Sequence, residues 1–317
     1  MTTRQVGELG EFGMIAKATE GLSMPPSVSV GPGDDAACFL LDGSAVISTD
    51  MYVEGVHFRT EWSDAGDIGR KVVAASVADI EAMGAVPVTL LVALGLPRDT
   101  SEAWFEAFTD GLRHECVRAN VTLVGGDLSM SPQIVATVTV VGQTGAVPPV
   151  TRAGAKPGQL VAMTGRLGWA AAGLAALARG FRSPKAVVDA HRFPLVPYGA
   201  GREAALAGAT AMIDVSDGLL ADLGHIADAS GVVIDVNTAR LDIGQPVAAV
   251  GQALGVDPLE YVLTGGEDHA LVATFTLGDV PTGWVVIGQV FEPVRGLDVS
   301  VLVDGQRPAG PGGWTHF

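Results

Sequence analysis

The sequence contains little cysteine and little positive charge. Its two cysteines, Cys38 and Cys116, have no paired spacing, which argues against a disulfide framework and against a zinc knuckle. The 19 basic residues are outnumbered by 35 acidic ones, so the formal net charge is −16. Such a charge opposes binding to nucleic acid or to an anionic membrane surface. An anionic substrate must therefore bind at a local positive site. Metal cations bound by acidic residues would provide such a site, because they attract phosphate.

Long apolar runs are also missing. The longest, such as residues 85–97, are shorter than the roughly 20 residues that a membrane-spanning helix needs. The first twelve residues, MTTRQVGELGEF, lack a basic region followed by an apolar stretch, so no secretory leader is predicted. We expect a soluble, cytoplasmic protein in a reducing compartment.

Several familiar catalytic motifs do not occur in this chain. It contains no G-x-x-x-x-G-K-[ST] loop, no protein-kinase catalytic-loop pattern and no G-x-S-x-G nucleophile elbow. The usual phosphoryl-transfer scaffolds and the α/β-hydrolases are thereby excluded.

The composition and the apolar patterning predict a two-domain α/β protein. With 317 residues, 48% of them hydrophobic, the chain can bury a large core, and strand-like and helix-like segments alternate along it. The segment TRAGAKPG at 151–158 has no periodicity, so we place the boundary there, between domains of residues 1–150 and 151–317. The elements used below are strands at 45–50, 121–124 and 211–215 and helices at 68–83, 101–119 and 219–229.

Five short acidic segments are predicted to follow or border these strands. They are Gly31-Pro-Gly-Asp-Asp35, Ser48-Thr-Asp50, Gly125-Gly-Asp127, Asp214-Val-Ser-Asp-Gly218 and Thr264-Gly-Gly-Glu-Asp268. Each alone is compatible with a polar or capped turn, and Ser216 could simply cap the following helix. Because only 17% of the residues are charged, five such segments together favour a site that binds several metal ions and a phosphate.

Asp79 and His57 are weaker candidates for the same site. Asp79 lies in the largely apolar segment AASVADI, where an unpaired carboxylate would be costly to bury, so it needs a cation or a partner. The alternative is that it faces solvent on the polar side of the helix. A single histidine such as His57 is more often structural than functional.

The motifs GDDAA, STDM, EGVHF, DIEAMGA, GGD, TRAGAKPG, DVSDGL and GGED occur in this order along nearly the whole chain. Taken together they resemble the thiamine-monophosphate kinases, members of the aminoimidazole-ribonucleotide synthetase-like ATP-binding superfamily. The resemblance implies two α/β (α+β) domains and a homodimer whose N-terminal mixed sheets meet at the interface. It also implies ATP-dependent phosphorylation of thiamine monophosphate to thiamine diphosphate, the final step of that biosynthesis, with several Mg²⁺ ions and ATP as co-substrate.

The resemblance also assigns roles residue by residue. The implied Mg²⁺ ligands are Asp35, Ser48, Thr49, Asp50, Asp79, Asp127, Asp214 and Asp217. The implied nucleotide contacts are Gly126, Asp127, Arg152 and Ser216, and the implied contacts to thiamine monophosphate are His57, Glu267 and Trp314. The chain departs from the family at His269-Ala270, where an aromatic and an acidic residue are usual, so the packing beside Glu267 is the part that the resemblance does not predict.

The chemistry implied needs no covalent nucleophile. The acceptor is a phosphate oxygen that is already ionised, and the motifs contain no convincing pair of nucleophile and base, so we expect direct in-line transfer. Three alternatives remain. A selenophosphate synthetase would require a reactive cysteine or selenocysteine near the N-terminus, whereas the first cysteine of this chain, Cys38, comes after the GDDAA motif. A hydrogenase-maturation protein would end in a cysteine tail. A non-catalytic Mg²⁺ or nucleotide sensor would keep the aspartates without a substrate pocket.

Overall fold

The structure is a computed structural model that describes residues 5–33, 36–293, 300–308 and 312–313. Its contacts divide the chain into two units. The first runs to Ile80 and resumes over Val86–Ala146; the second comprises Glu81–Ala85 and the chain from Val147 onward.

The first unit contains a mixed four-stranded sheet. Its helices and strands are α1 (Val6–Thr19), β1 (Val28–Val30), β2 (Cys38–Phe39), β3 (Ala45–Val53), α2 (Ala65–Ala82), β4 (Val86–Leu96), α3 (Glu102–Ala119), β5 (Thr122–Met130) and β6 (Val135–Gln143). The last two residues of α2 belong to the second unit. The sheet order is β3-β6-β4-β5, with β4 and β5 parallel and the other pairs antiparallel.

Local sequence signals explain the bounds of α3. The Ser101 side chain accepts a hydrogen bond from the Trp104 N–H, which satisfies a free donor at the helix start. Asn120 ends the helix in the left-handed conformation, which asparagine tolerates better than most residues. The predicted helix at 101–119 is therefore confirmed almost to the residue.

The second unit contains a six-stranded sheet with helices around it. Its elements are β7 (Leu160–Thr164), α4 (Trp169–Ala178), α5 (Lys185–Arg192), α6 (Ala200–Leu206), β8 (Ala211–Val215), α7 (Leu219–Ser230), β9 (Val233–Val236), a 3₁₀ helix (Thr238–Arg240), α8 (Gln245–Leu254), α9 (Pro258–Thr264), β10 (Ala270–Phe275), β11 (Val285–Phe291) and β12 (Val301–Val303). The sheet order is β12-β9-β11-β7-β10-β8, and only β12 and β9 pair in parallel among these neighbours.

Every residue of β10 is buried, and its neighbour β8 is buried throughout as well. Apolar side chains of these strands, such as Ile213 and Val272, pack with Leu223 and Ile226 of α7 in one core. This rigid pair of strands positions the acidic segments that follow β8 and precede β10. In the part of the chain that the structure describes, no helix combines the length and the apolarity needed to cross a bilayer.

The mixed α/β prediction is confirmed, but two strands extend further than the sequence indicated. β3 continues to Val53 and β5 continues to Met130. Ser48-Thr-Asp50 therefore lies in the middle of β3 and not at its C-terminal end, and Gly125-Gly-Asp127 lies within β5 and not in a loop after residue 124. Both predicted positions are wrong. The reason is pairing: both segments have partners on neighbouring strands along their whole length.

Candidate functional site

The alternation of β3 brings two predicted metal ligands, Ser48 and Asp50, to one face of the first-unit sheet. Ser48, Asp50 and Tyr52 point to the same side because successive strand residues face opposite ways. α2 covers this side: the Ser48 Oγ donates to Asp79 Oδ2 at 2.5 Å, and the Tyr52 hydroxyl and the Ser76 Oγ lie 2.8 Å apart. We call Ser48, Asp50 and Asp79 the first-unit cluster.

Asp79 is half-buried on a helix whose neighbouring residues are almost all buried. The alternative, that it faces solvent on a polar helix side, is therefore not supported, and Ser48 is one of its partners. The first-unit cluster offers carboxylate and hydroxyl oxygens, the hard donors that Mg²⁺ prefers. It thus fits the proposed kind of metal site.

Thr49 and Asp127 lie on the other face of the same sheet. Thr49 is exposed and its Oγ1 is 3.0 Å from the Thr139 Oγ1 on β6. Asp127 is exposed on β5, where its Oδ2 accepts from the Ser129 hydroxyl at 2.8 Å. β3 and β5 are the outer strands of this sheet, three strand spacings or roughly 14 Å apart. Within one copy of the sheet, Thr49 and Asp127 are therefore too far apart to bind one ion.

Gly126 is required by close packing of the two parallel strands β4 and β5. A Cβ atom at this position would lie 1.9 Å from the Val92 carbonyl oxygen, a distance that no side chain can tolerate. The glycine beside Asp127 thus serves the strand pairing, and its backbone amide belongs to the strand rather than to a phosphate-binding loop.

His57 lies in the turn that follows β3 and is held through its ring and its backbone. Its Nδ1 accepts from the Val53 N–H at 3.0 Å, so the neutral ring carries its proton on Nε2. The buried Lys71 Nζ donates to the His57 carbonyl oxygen at 2.9 Å. The imidazole is therefore oriented with a donor directed away from the strand end.

In the second unit, the segments after β8 and before β10 are joined by hydrogen bonds. The Glu267 N–H donates to the Ser216 carbonyl oxygen at 2.8 Å, and the His269 N–H donates to the Val215 carbonyl oxygen at 3.0 Å. Gly266 permits this approach, since a Cβ atom there would lie 2.1 Å from the Ser216 oxygen. Two predicted site segments, DVSDG and GGED, are thus brought together.

Asp214 and His269 form a buried pair within this arrangement. The His269 Nδ1 lies 2.9 Å from the Asp214 Oδ2, and the residues are 9% and 5% exposed. The departure from the family pattern at residue 269 therefore places a hydrogen-bond donor on a predicted metal ligand. We call Asp214, Asp217, Asp222 and His269 the second-unit cluster.

Asp222 is a functional candidate that the sequence reasoning missed. Its Oδ2 accepts from the N–H groups of Asp217 and Gly218 at 3.1 and 3.0 Å, so it fixes the turn that leads into α7. The N-cap of α7 is Gly218, so the alternative that Ser216 caps this helix is not observed. Burial, and then the charge of Asp214, raise the pKa of Asp222 to about 7. Ligand atoms of Asp217, Asp222 and His225 lie within 4.8 Å of one another, close enough to hold a cation. The signal in the sequence was an aspartate one helical turn into α7, in D-G-L-L-A-D.

The two acids of the Gly-Gly-Glu-Asp segment have different surroundings. Asp268 accepts from the Trp169 and Ala170 N–H groups at 3.0 and 2.9 Å and so caps α4; burial raises its pKa to about 7. Glu267 is half-buried, and its Oε2 lies 3.5 Å from the Nδ1 of the buried His191. The Glu267 carboxylate is therefore the more accessible of the two, and Asp268 anchors the segment to α4.

The remaining predicted site residues are less constrained. Arg152 is exposed, and its carbonyl oxygen accepts from the Ser230 hydroxyl at 3.1 Å. Ser216 is half-buried between Val215 and Asp217. Asp35 and Trp314 lie outside the described residues.

Both halves of the chain match known protein families. Residues 33–144 match the family described as AIR synthase related protein, N-terminal domain, and residues 156–275 match AIR synthase related protein, C-terminal domain. Together with the two mixed sheets, these matches define a protein of the AIR synthase-related class.

Relatives that match over nearly the full length narrow this class. The chain is 47% identical over 313 residues to the thiamine-monophosphate kinase of Mycobacterium tuberculosis (strain ATCC 25618 / H37Rv), covering 98% of this chain and 92% of the relative. It is 39% identical over 321 residues to that of Corynebacterium glutamicum, covering 98% and 95%. The solved structure of AaThiL complexed with AMPPCP and TMP matches with a TM-score of 0.80 and 30% identity and covers 100% of both chains. The chain belongs to the thiamine-monophosphate kinase family, which confirms the resemblance of its motifs.

Proposed function

We propose that this chain transfers the γ-phosphate of ATP to thiamine monophosphate and so makes thiamine diphosphate. The observation that carries the proposal is the full-length match to a kinase solved with AMPPCP and TMP bound. The acidic segments that both units present agree with it, since transfer between two phosphates requires their negative charges to be offset.

Several Mg²⁺ ions would serve this reaction by neutralising and aligning the two phosphate groups. In the first unit, a cation would be held by Ser48, Asp50 and Asp79. In the second unit, a cation would be held by Asp214 and Asp217. The support is the donor chemistry: all these ligand atoms are carboxylate or hydroxyl oxygens, and the hydrogen bond from Ser48 already orients Asp79. Asp35, Thr49 and Asp127 complete the proposed set.

Binding and orientation of the two substrates are assigned to other residues. We assign Gly126, Asp127, Arg152 and Ser216 to ATP, and His57, Glu267 and Trp314 to thiamine monophosphate. His57 is suited to its role because its Nε2–H can donate to a phosphate oxygen or to a ring nitrogen of the substrate. The acceptor oxygen is ionised at neutral pH, so transfer proceeds directly, without a phospho-enzyme.

We also propose a homodimer, and the exposed face of the first-unit sheet supports it. The face of β3 away from α2 exposes apolar residues, with Ile47 64% and Met51 58% exposed. Exposed apolar surface of this kind is typical of an interaction site. Thr49 and Asp127 lie on this face on opposite outer strands, and a second copy placed against it could bring Asp127 of one chain to Thr49 of the other. The proposed cytoplasmic location agrees with both cysteines being free thiols.

The deciding experiment measures ADP formed from ATP and Mg²⁺ with thiamine monophosphate, with free thiamine or with aminoimidazole precursors as acceptor. We expect turnover with thiamine monophosphate alone, with thiamine diphosphate formed in equal amount to ADP. Turnover with another acceptor would indicate a different enzyme of the class. ATP binding without any ADP formation would indicate a sensor.

A further inference from the structure

His269 is placed to control the direction of the Asp214 carboxylate. The Nδ1–Oδ2 distance is 2.9 Å, and both side chains are almost completely buried. Because a carboxylate oxygen can only accept, the imidazole Nδ1 must donate in this bond. One oxygen of Asp214 is thereby fixed, and the orientation of the other follows from it.

The backbone that presents the His269 ring to Asp214 is held by hydrogen bonds on both sides. His269 has a φ of 51°, in the left-handed region, and its N–H is bonded to the Val215 carbonyl oxygen. On one side Asp268 is anchored to the start of α4, and on the other Ala270 pairs with Val215 in the sheet. The backbone from which the imidazole projects is therefore fixed on both sides, and the ring is almost completely buried where it meets Asp214.

The surroundings make such a donor useful. Asp222 is close enough for the charge of Asp214 to act on it, and Asp217 lies beside Asp222. Three neighbouring carboxylates repel one another, and without a fixed donor Asp214 could rotate away from the others. Hydrogen bonds from neighbouring groups that orient metal-binding side chains typically change metal affinity by 10–100-fold.

We propose that His269 is a positioning residue, which holds Asp214 in the orientation in which it binds a divalent cation. This inference rests on the proposed function in one respect, that Asp214 is a cation ligand. It goes beyond that function because the family resemblance assigns residue 269 no role and predicts an aromatic side chain there.

The variants that test this are His269→Phe and His269→Asn. Phenylalanine keeps a flat ring but has no donor, whereas asparagine keeps an N–H donor near the position of Nδ1 and tolerates the left-handed backbone. Asp214→Asn identifies the cation sites that depend on Asp214. His114→Phe is the matched control, since His114 also has its Nδ1 near a carboxylate, 3.9 Å from Glu115, but is 60% exposed on α3 in the first unit.

Binding of Mn²⁺, as a probe for Mg²⁺, is measured by electron paramagnetic resonance with AMPPCP and thiamine monophosphate present, so that no turnover is needed. We expect His269→Phe to weaken by about tenfold the same sites that Asp214→Asn weakens, and His269→Asn to stay within about twofold of the wild type. His114→Phe should leave the isotherm unchanged. In turnover assays, the Mg²⁺ concentration for half-maximal rate should shift in parallel.

The outcomes separate this inference from the proposed function. If Asp214→Asn weakens Mn²⁺ binding but His269→Phe lowers only the melting temperature, His269 is merely structural and the inference is wrong, while the function stands. If Asp214→Asn leaves the isotherm unchanged, Asp214 is not a ligand and both its assignment and the inference fail. If His269→Phe does not fold, Mn²⁺ binding by His269→Ala is compared with that by His269→Asn. Equal binding by these two variants overturns the inference.

Discussion

Ser48 of β3 donates its hydroxyl hydrogen to the carboxylate of Asp79 on α2, 31 residues later in the chain. This bond joins a strand to the helix that covers it and leaves Asp50, two residues along the same strand face, beside the pair. The arrangement places the oxygen atoms of all three side chains where β3 meets α2.

Asp50→Asn should reduce kcat by roughly 100-fold or more while leaving the fold intact, because the amide nearly matches the carboxylate in size but lacks its charge. The measurement is kcat across a Mg²⁺ titration, with circular dichroism as the check on folding. Asp42→Asn, an exposed residue before β3, is the control and should behave like the wild type. A wild-type kcat for Asp50→Asn at saturating Mg²⁺ would remove Asp50 from the ligand set.

Direct transfer predicts inversion of configuration at the transferred phosphorus. An in-line attack by the acceptor oxygen inverts the phosphorus once, whereas a phospho-enzyme would invert it twice. The measurement uses ATP with a chiral γ-phosphate and determines the configuration in thiamine diphosphate. Net retention would require a covalent intermediate and overturn this mechanism.

Trp314, which lies outside the described residues, remains assigned to thiamine monophosphate by resemblance. Loss of its stacking in Trp314→Ala should raise the KM for thiamine monophosphate about tenfold, equivalent to about 1–2 kcal/mol. The KM for ATP, measured on the same preparation, is the internal control and should barely change. Two unchanged constants with a lower melting temperature would instead mean that the indole only fastens the end of the chain.

The stability of the protein should fall between about pH 4.5 and pH 7 through Glu81. Burial raises the pKa of this carboxyl from 4.5 to about 7, although it accepts hydrogen bonds from the Gly199 and Gly201 N–H groups. In this window the folded chain keeps a proton that the unfolded chain has released. The stabilisation is therefore complete below the unfolded pKa and is lost as the pH rises through the folded pKa, by at most about 1.4 kcal/mol per pH unit.

The comparison that isolates this effect is urea unfolding of the wild type and Glu81→Gln at several pH values without Mg²⁺. Glutamine keeps an acceptor but does not titrate in this range. The stability of the wild type relative to the variant should decrease from pH 5 to pH 7.5. A constant or growing difference would show that Glu81 is ionised in the folded protein throughout.

The two thiols should differ in reactivity. Cys38 is exposed, whereas burial raises the pKa of the Cys116 thiol to about 12, which suppresses the reactive thiolate. Native protein should therefore react with one equivalent of Ellman's reagent, and protein in urea should react with two. Cys38→Ser should leave no fast-reacting thiol; rapid reaction in that variant would contradict the burial of Cys116.

The sequence predicted the helices and strands better than the geometry of the candidate site. The acidic motifs and the bounds of α3 depend on local signals, which a single sequence contains. Whether Asp127 ends a loop or lies inside β5 depends on pairing with β4 along the whole strand, and the Asp214–His269 pair joins residues 55 positions apart through the pairing of β8 with β10. Such contacts leave no periodic trace in the sequence. Asp222 was missed for a different reason: its hydrogen bonds are local, but an aspartate one turn into a helix is usually a surface residue.

The alternation along β3 has a consequence for how this segment can change. Ser48 and Asp50 lie on one surface of the sheet and Thr49 lies on the opposite one, so the surface on which each side chain lies depends on the phase of the strand. A single-residue insertion or deletion between Ala45 and Ser48 would reverse that phase and exchange the two surfaces at once. A substitution can change one of these residues without moving the others. A change in length keeps every side chain on its present surface only if two residues are inserted or deleted together.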